Sequence, residues 1–88
     1  MKAIEFIYSD KLEQNLERYE EVDGEKCECC GKPLKSKKYY VNTIDGPFVV
    51  EPHITDEEMR ANGTQSQGIF YLGSSCIKKY PKSHIGKL

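Results

Sequence analysis

The sequence predicts a small α+β domain in which antiparallel hairpins are pinned by a cysteine knuckle, with an N-terminal strand and an amphipathic helix packed alongside. Three observations carry that prediction. A Cys27-Glu28-Cys29-Cys30-Gly31 turn gathers three cysteines, and a fourth, Cys76, follows a second Gly-bearing stretch, Leu72-Gly73-Ser74-Ser75. Near the N-terminus an alternating segment gives way to an apolar stripe of helical period. Between the cysteine segments lie aromatic and β-branched runs punctuated by Gly and Pro.

The 88 residues are read as one domain, 1–88, with the strand and an acidic helix over 1–25 and the knuckle, hairpin and final helix over 26–88. A domain of this size buries little more than ~60% of the surface its unfolded chain exposes. A metal cross-link would therefore add stability that a thin core does not. Hydrophobic content of 38% with 31% charged residues, six Tyr and three Phe describes a folded globular chain rather than a disordered one.

Met1-Lys2-Ala3-Ile4-Glu5-Phe6 has no uninterrupted apolar run of the secretory type, and no stretch is apolar for long enough to span a bilayer. A cytoplasmic protein without a membrane partner is expected. In a reducing cytosol, thiols spaced this closely are read as ligands rather than as a disulfide framework. Charge is divided unevenly: residues 1–28 carry nine acids against four bases, and residues 29–88 carry nine bases against five acids. An anionic partner would meet the second half.

Taken in order, Lys2 to Tyr8 alternates Ile4, Phe6 and Tyr8 on one face with Ala3, Glu5 and Ile7 on the other, the period of a half-buried strand. Ser9 or Asp10 is placed to cap a helix, with Glu13 in its first turn. Leu12, Leu16 and Tyr19 then form a core-facing stripe, and Glu13, Glu17, Arg18, Glu20 and Glu21 face water. Gly24 marks its end. After the knuckle, Tyr39-Tyr40-Val41-Asn42-Thr43 and Phe48-Val49-Val50-Glu51 read as a hairpin turned by Ile44-Asp45-Gly46-Pro47, and Pro52 ends the second strand. Thr55 to Gly63 is a short helix with Thr55 and Glu58 as a capping box. Thr64 to Gly68 is a polar loop, Ile69 to Leu72 a strand, and Ser74 or Ser75 caps a brief helix from Cys76 to Tyr80 that Pro81 terminates.

A structural zinc site needs four sulfur or imidazole donors held tetrahedrally. Cys27 and Cys30 have knuckle spacing, and Gly31 allows the positive φ such a turn needs. Cys76 sits where a strand passes into a helix N-terminus, which would favour its thiolate. A knuckle, a hairpin and a ligand opening a helix is the layout of a treble clef, yet Lys79 and Tyr80 occupy the places of a second ligand from that helix. His84 is taken as the fourth ligand, with His53, Cys29 or water as alternatives. No His-Glu-x-x-His, no deaminase-type Cys/His pattern and no thioredoxin-like context surrounds the cysteines, so an enzyme is not expected.

At Cys27-Glu28-Cys29-Cys30-Gly31-Lys32-Pro33-Leu34 and Tyr71-Leu72-Gly73-Ser74-Ser75-Cys76-Ile77-Lys78-Lys79 the chain resembles a group of small, mostly uncharacterised bacterial and bacteriophage zinc-knuckle proteins. The resemblance implies zinc as cofactor and a phage or mobile-element origin. It implies no activity, and it leaves the N-terminal strand and helix uncovered.

One ion bound by both cysteine segments would draw Lys32, Lys35, Lys37 and Lys38 toward Lys78, Lys79 and Lys82, beside Tyr39, Tyr40 and Tyr80. The first functional expectation is a non-enzymatic zinc module that binds another protein, such as a host factor in a phage setting. The second is a nucleic-acid-binding zinc domain whose contacts are Lys35, Lys37, Lys38, Lys78, Lys79 and Lys82.

Overall fold

The fold is built around strand β2, Tyr39–Ile44, which is paired along both of its edges. In the computed structural model, which describes residues 1–88, β3 (Phe48–Val50) and β5 (Gly86–Lys87) lie along one edge of β2 and β4 (Ser66–Leu72) along the other. Strand β1 (Ile4–Glu5) adds outside β3, and every pairing is antiparallel. Asn42 stands opposite Val50, Tyr39 opposite Leu72, and Tyr40 opposite Gly86.

Central position explains why Val41, Asn42, Thr43 and Ile44 are all buried. Successive side chains of a strand point to opposite faces. Val41 joins Phe6, Val49, Leu72, Tyr80 and the cysteines on one face, whereas Ile44 joins Val50 and Met59 on the other. Asn42, buried among them, is satisfied by donating to the Ile54 carbonyl at 3.1 Å.

The hairpin between β2 and β3 falls where the sequence places it. Ile44 pairs with Phe48, leaving a three-residue loop in which Asp45 (φ +45°) and Gly46 (φ +92°) both take left-handed conformations. Asp and Gly tolerate that region best. The short helix is likewise as expected: α2 spans Asp56–Ala61, and the Thr55 hydroxyl accepts the Glu58 N–H at 3.2 Å. Its one buried residue, Met59, covers the second face of the sheet.

Four expectations are corrected. The N-terminal strand pairs only over Ile4–Glu5; beyond Phe6 the chain leaves the sheet, so that Phe6 enters the main core while Ile7 and Tyr8 lie open. Strand β4 starts at Ser66, inside the expected polar loop, because backbone pairing with Ile44 and Thr43 does not require apolar side chains on an edge strand. A register shift between Thr43 and Ile44 accommodates it.

Helix α1 (Leu12–Arg18) buries Asn15, while Leu16, placed on the core stripe by its spacing, is 47% exposed. The helix packs on the polar backbone of the knuckle rather than on the apolar core, and Asn15 Nδ2 donates to the Cys30 carbonyl at 2.8 Å. Its N-cap position is Lys11, with no side-chain cap; Ser9 Oγ accepts the Lys11 N–H instead. The fourth correction lies at Cys76–Lys79, which forms a four-residue 3-10 turn rather than an α-helix, with no capping bond from Ser75.

Candidate metal centre

Backbone bonding closes the knuckle before any side chain is considered. Lys26 and Pro33 form an antiparallel bridge, the Cys27 N–H donates to the Lys32 carbonyl at 2.9 Å, and the Gly31 N–H donates to the Cys27 carbonyl at 2.7 Å. Gly31 is required twice over. Its φ is +78°, and a Cβ there would lie 3.1 Å from the Leu12 carbonyl oxygen and 3.2 Å from the Leu16 side chain.

The Glu28 N–H donates to the Tyr71 carbonyl at 3.2 Å, which ties the knuckle to the end of β4. From there Gly73, Ser74 and Ser75 turn the chain so that Cys76 comes back over the knuckle, its N–H bonded to the Gly73 carbonyl at 3.1 Å. The result is a cluster drawn from two distant segments. The Sγ atoms of Cys27, Cys30 and Cys76 all lie within 4.8 Å of one another. Cys27 and Cys76 are 2% and 4% exposed, and Cys30 is half-buried at the open side.

Of the other expected ligands, Cys29 adjoins Cys76 without belonging to the three-cysteine group, and both histidines stand apart. Cys29 is fully buried in the main core, and its thiol donates to the Ile7 carbonyl at 3.1 Å. His84 is not part of the cysteine group. It is 2% exposed beneath the N-terminal segment, with Nε2 2.6 Å from the Lys2 carbonyl, Nδ1 2.9 Å from Ser83 Oγ, and Glu51 Oε1 at 3.7 Å. The reason is β5: pairing of Gly86 with Tyr40 carries the preceding turn, Lys82–His84, toward the β1 end of the sheet and away from the knuckle. His53 is exposed in the loop after β3.

The thiols divide unequally. Burial pushes Cys27 up, but the Gly73, Cys30 and Cys29 backbone N–H groups and the Cys76 thiol outweigh it, so that Cys27 ionises below the ordinary thiol range. The Gly73 N–H reaches its sulfur at 3.3 Å. Cys76 moves the other way, raised first by burial and then by the Cys29, Cys30 and Cys27 thiols around it. Burial and the neighbouring thiols thus work against the favoured Cys76 thiolate expected of a helix N-terminus. A bound divalent cation would reverse this, because coordination deprotonates a thiol outright. Three sulfurs in one place form a soft donor set suited to a thiophilic metal ion.

The expected lysines are distributed over three cavities that share lining residues. Lys35 and Lys38 line one cavity with Tyr39, Lys78 and Lys82 line another with Tyr39 and Lys87, and Lys79 faces the cysteines. Lys37 lies 3.9 Å from Glu25 and 5.2 Å from the Tyr71 ring centre. Sequence reasoning missed Asn15, which steadies the knuckle through Cys30, and the Gly73 N–H on Cys27. The first has no local signal; the second is implicit in the Gly-x-x-Cys spacing. No protein-family model, curated protein or solved structure matches the chain.

Proposed function

We propose that the protein is a zinc-stabilised, non-catalytic module that binds another protein. The observation that carries the reading is the convergence of Cys27, Cys30 and Cys76 from two segments distant in sequence. A tetrahedral zinc ion with Zn–S distances of about 2.3 Å sets its sulfurs about 3.8 Å apart. Sulfurs already within 4.8 Å need to close by about 1 Å at most. Support for a protein partner comes from α1, whose exposed Leu16 sits among Glu13, Glu17 and Glu20, a face suited to an apolar and basic surface.

The deciding experiment is elemental analysis and native mass spectrometry of purified protein, followed by melting with and without a chelator. One zinc per chain and a lower Tm after chelation are expected, since in small zinc domains binding free energy is largely folding free energy. Metal-free protein with an unchanged melting profile would overturn the reading.

A second reading, single-stranded nucleic-acid binding, has one specific support: Tyr39 stands between the Lys35 and Lys38 cavity and the Lys78, Lys82 and Lys87 cavity. An aromatic between cations suits a stacked base with flanking phosphates. Binding of this kind falls log-linearly with salt. Absence of any binding at low salt removes it.

A further inference from the structure

Beside the cysteine cluster lies a cavity of about 310 Å³, and it is lined by all three of Cys27, Cys30 and Cys76 but not by Cys29. Its charged lining consists of Lys11, Lys32 and Lys79, contributed by the start of α1, the knuckle and the 3-10 turn; no carboxylate or imidazole takes part. Hydroxyl groups of Ser9, Ser74 and Ser75 and the Asn15 amide, which donates to the Cys30 carbonyl, complete the polar surface. Three sulfurs facing one basic, hydroxyl-lined space define an unusual ligand environment.

We infer that the fourth position of the bound metal opens into this cavity and is filled by an anionic oxygen donor from outside the chain, a carboxylate or a phosphate, held by Lys11, Lys32 and Lys79. The inference rests on the metal reading above. A divalent cation with three thiolates carries a net charge of −1, which by itself repels an anion. Three lysines around the remaining approach offset that repulsion, and no acidic side chain opposes them. Zinc with three protein ligands and an exchangeable fourth is also the arrangement of catalytic sites, but those pair the metal with a general acid or base. The lining here offers lysines, hydroxyls and the Asn15 amide, with no carboxylate or imidazole to act as that acid or base, a set that binds an anion rather than processes one.

The test uses the full chain reconstituted with Co²⁺, whose thiolate charge-transfer band reports the sulfurs and whose visible d–d bands report the fourth ligand. Addition of acetate or inorganic phosphate is expected to shift the d–d bands saturably while the charge-transfer band stays. Response to acetate alone assigns a carboxylate donor, and response to phosphate alone a phosphate donor. Lys32→Gln and Lys79→Gln should each weaken the response by roughly fivefold, the scale of one partly exposed ion pair. Two outcomes overturn the inference with cobalt bound: d–d bands indifferent to both anions, or a charge-transfer band that weakens in Cys29→Ser because that thiol is the fourth ligand. Failure to form any charge-transfer band would overturn the metal reading itself, and is distinguishable from both.

Discussion

Tyr80 holds Ile7 by both of that residue's backbone groups: its hydroxyl accepts the Ile7 N–H at 2.6 Å and donates to the Ile7 carbonyl at 3.2 Å. The Cys29 thiol donates to the same carbonyl at 3.1 Å. The segment before the knuckle, the knuckle itself and the turn after Cys76 thus meet at one residue.

Tyr80→Phe removes the only partner of the Ile7 N–H at that point while leaving its carbonyl bonded to Cys29. A loss of about 1 kcal/mol is expected, the scale of one hydrogen bond whose donor is only part-buried, and urea unfolding measures it. Burial raises the Tyr80 hydroxyl to about 12, opposed in part by its bond to Ile7. Because the folded value is the raised one, the associated stability is complete below the ordinary tyrosine value near ~10 and lost as pH climbs through about 12. Alkaline phenolate titration should show one late tyrosine, and Tyr80→Phe should remove it.

Acid acts where the N-terminal segment meets the residue after β3. The Lys2 N–H donates to Glu51 Oε1 at 2.8 Å, and this bond, with the Glu51 backbone N–H and then the N-terminal amine and His84, holds the carboxyl below the usual range. A depressed folded value means that the stability is present above the ordinary Glu value near ~4.3 and lost as pH falls through the lower folded value. Glu51→Gln should flatten the acid limb of a stability-against-pH curve. An unchanged limb would show that this corner contributes nothing to acid unfolding.

Gly31→Ala is expected to be among the most damaging single-methyl additions. It forces a positive φ on alanine and brings Cβ to 3.1 Å from the Leu12 carbonyl, so helix α1 must shift. Strain of about 1–3 kcal/mol follows from the backbone alone. Gly24→Ala is the control, since Gly24 also has positive φ (+99°) but has open space around it. Equal losses of Tm in the two variants would contradict the packing of α1 on the knuckle.

Cys76→Ser and Cys29→Ser separate ligand from core. The first should weaken metal binding beyond the roughly 10–100-fold that loss of an outer-shell partner costs. The second should leave affinity unchanged, its hydroxyl taking over the bond to the Ile7 carbonyl. Competition with a chromophoric chelator reads both.

Local chemistry is what made parts of this fold legible. The Asp45-Gly46 turn, the Thr55 cap and the Gly31 bend each follow from residues within a few positions, and each appears where the sequence puts it. Long-range partners were not legible. Strand β5 has two residues and no periodicity, yet its pairing with Tyr39 and Tyr40 decides where His84 goes. Leu16 has perfect helical spacing, but the surface beneath α1 is backbone, so a neighbouring Asn15 takes the inward position. Of the candidate site, the knuckle pair and Cys76 could be read from spacing and punctuation, whereas the bond that engages the Cys29 thiol depends on a carbonyl twenty-odd residues away.

His84 reaching back to the Lys2 carbonyl, and the Leu88 N–H bonding to the Lys38 carbonyl, leave residues 1 and 88 on the same side of one small sheet. A purification tag or fluorophore attached at residue 1 or 88 would therefore meet that same side of the sheet. Joining those termini through a flexible tether and reopening the chain at Asp45-Gly46 would yield a permuted version that preserves every thiol contact.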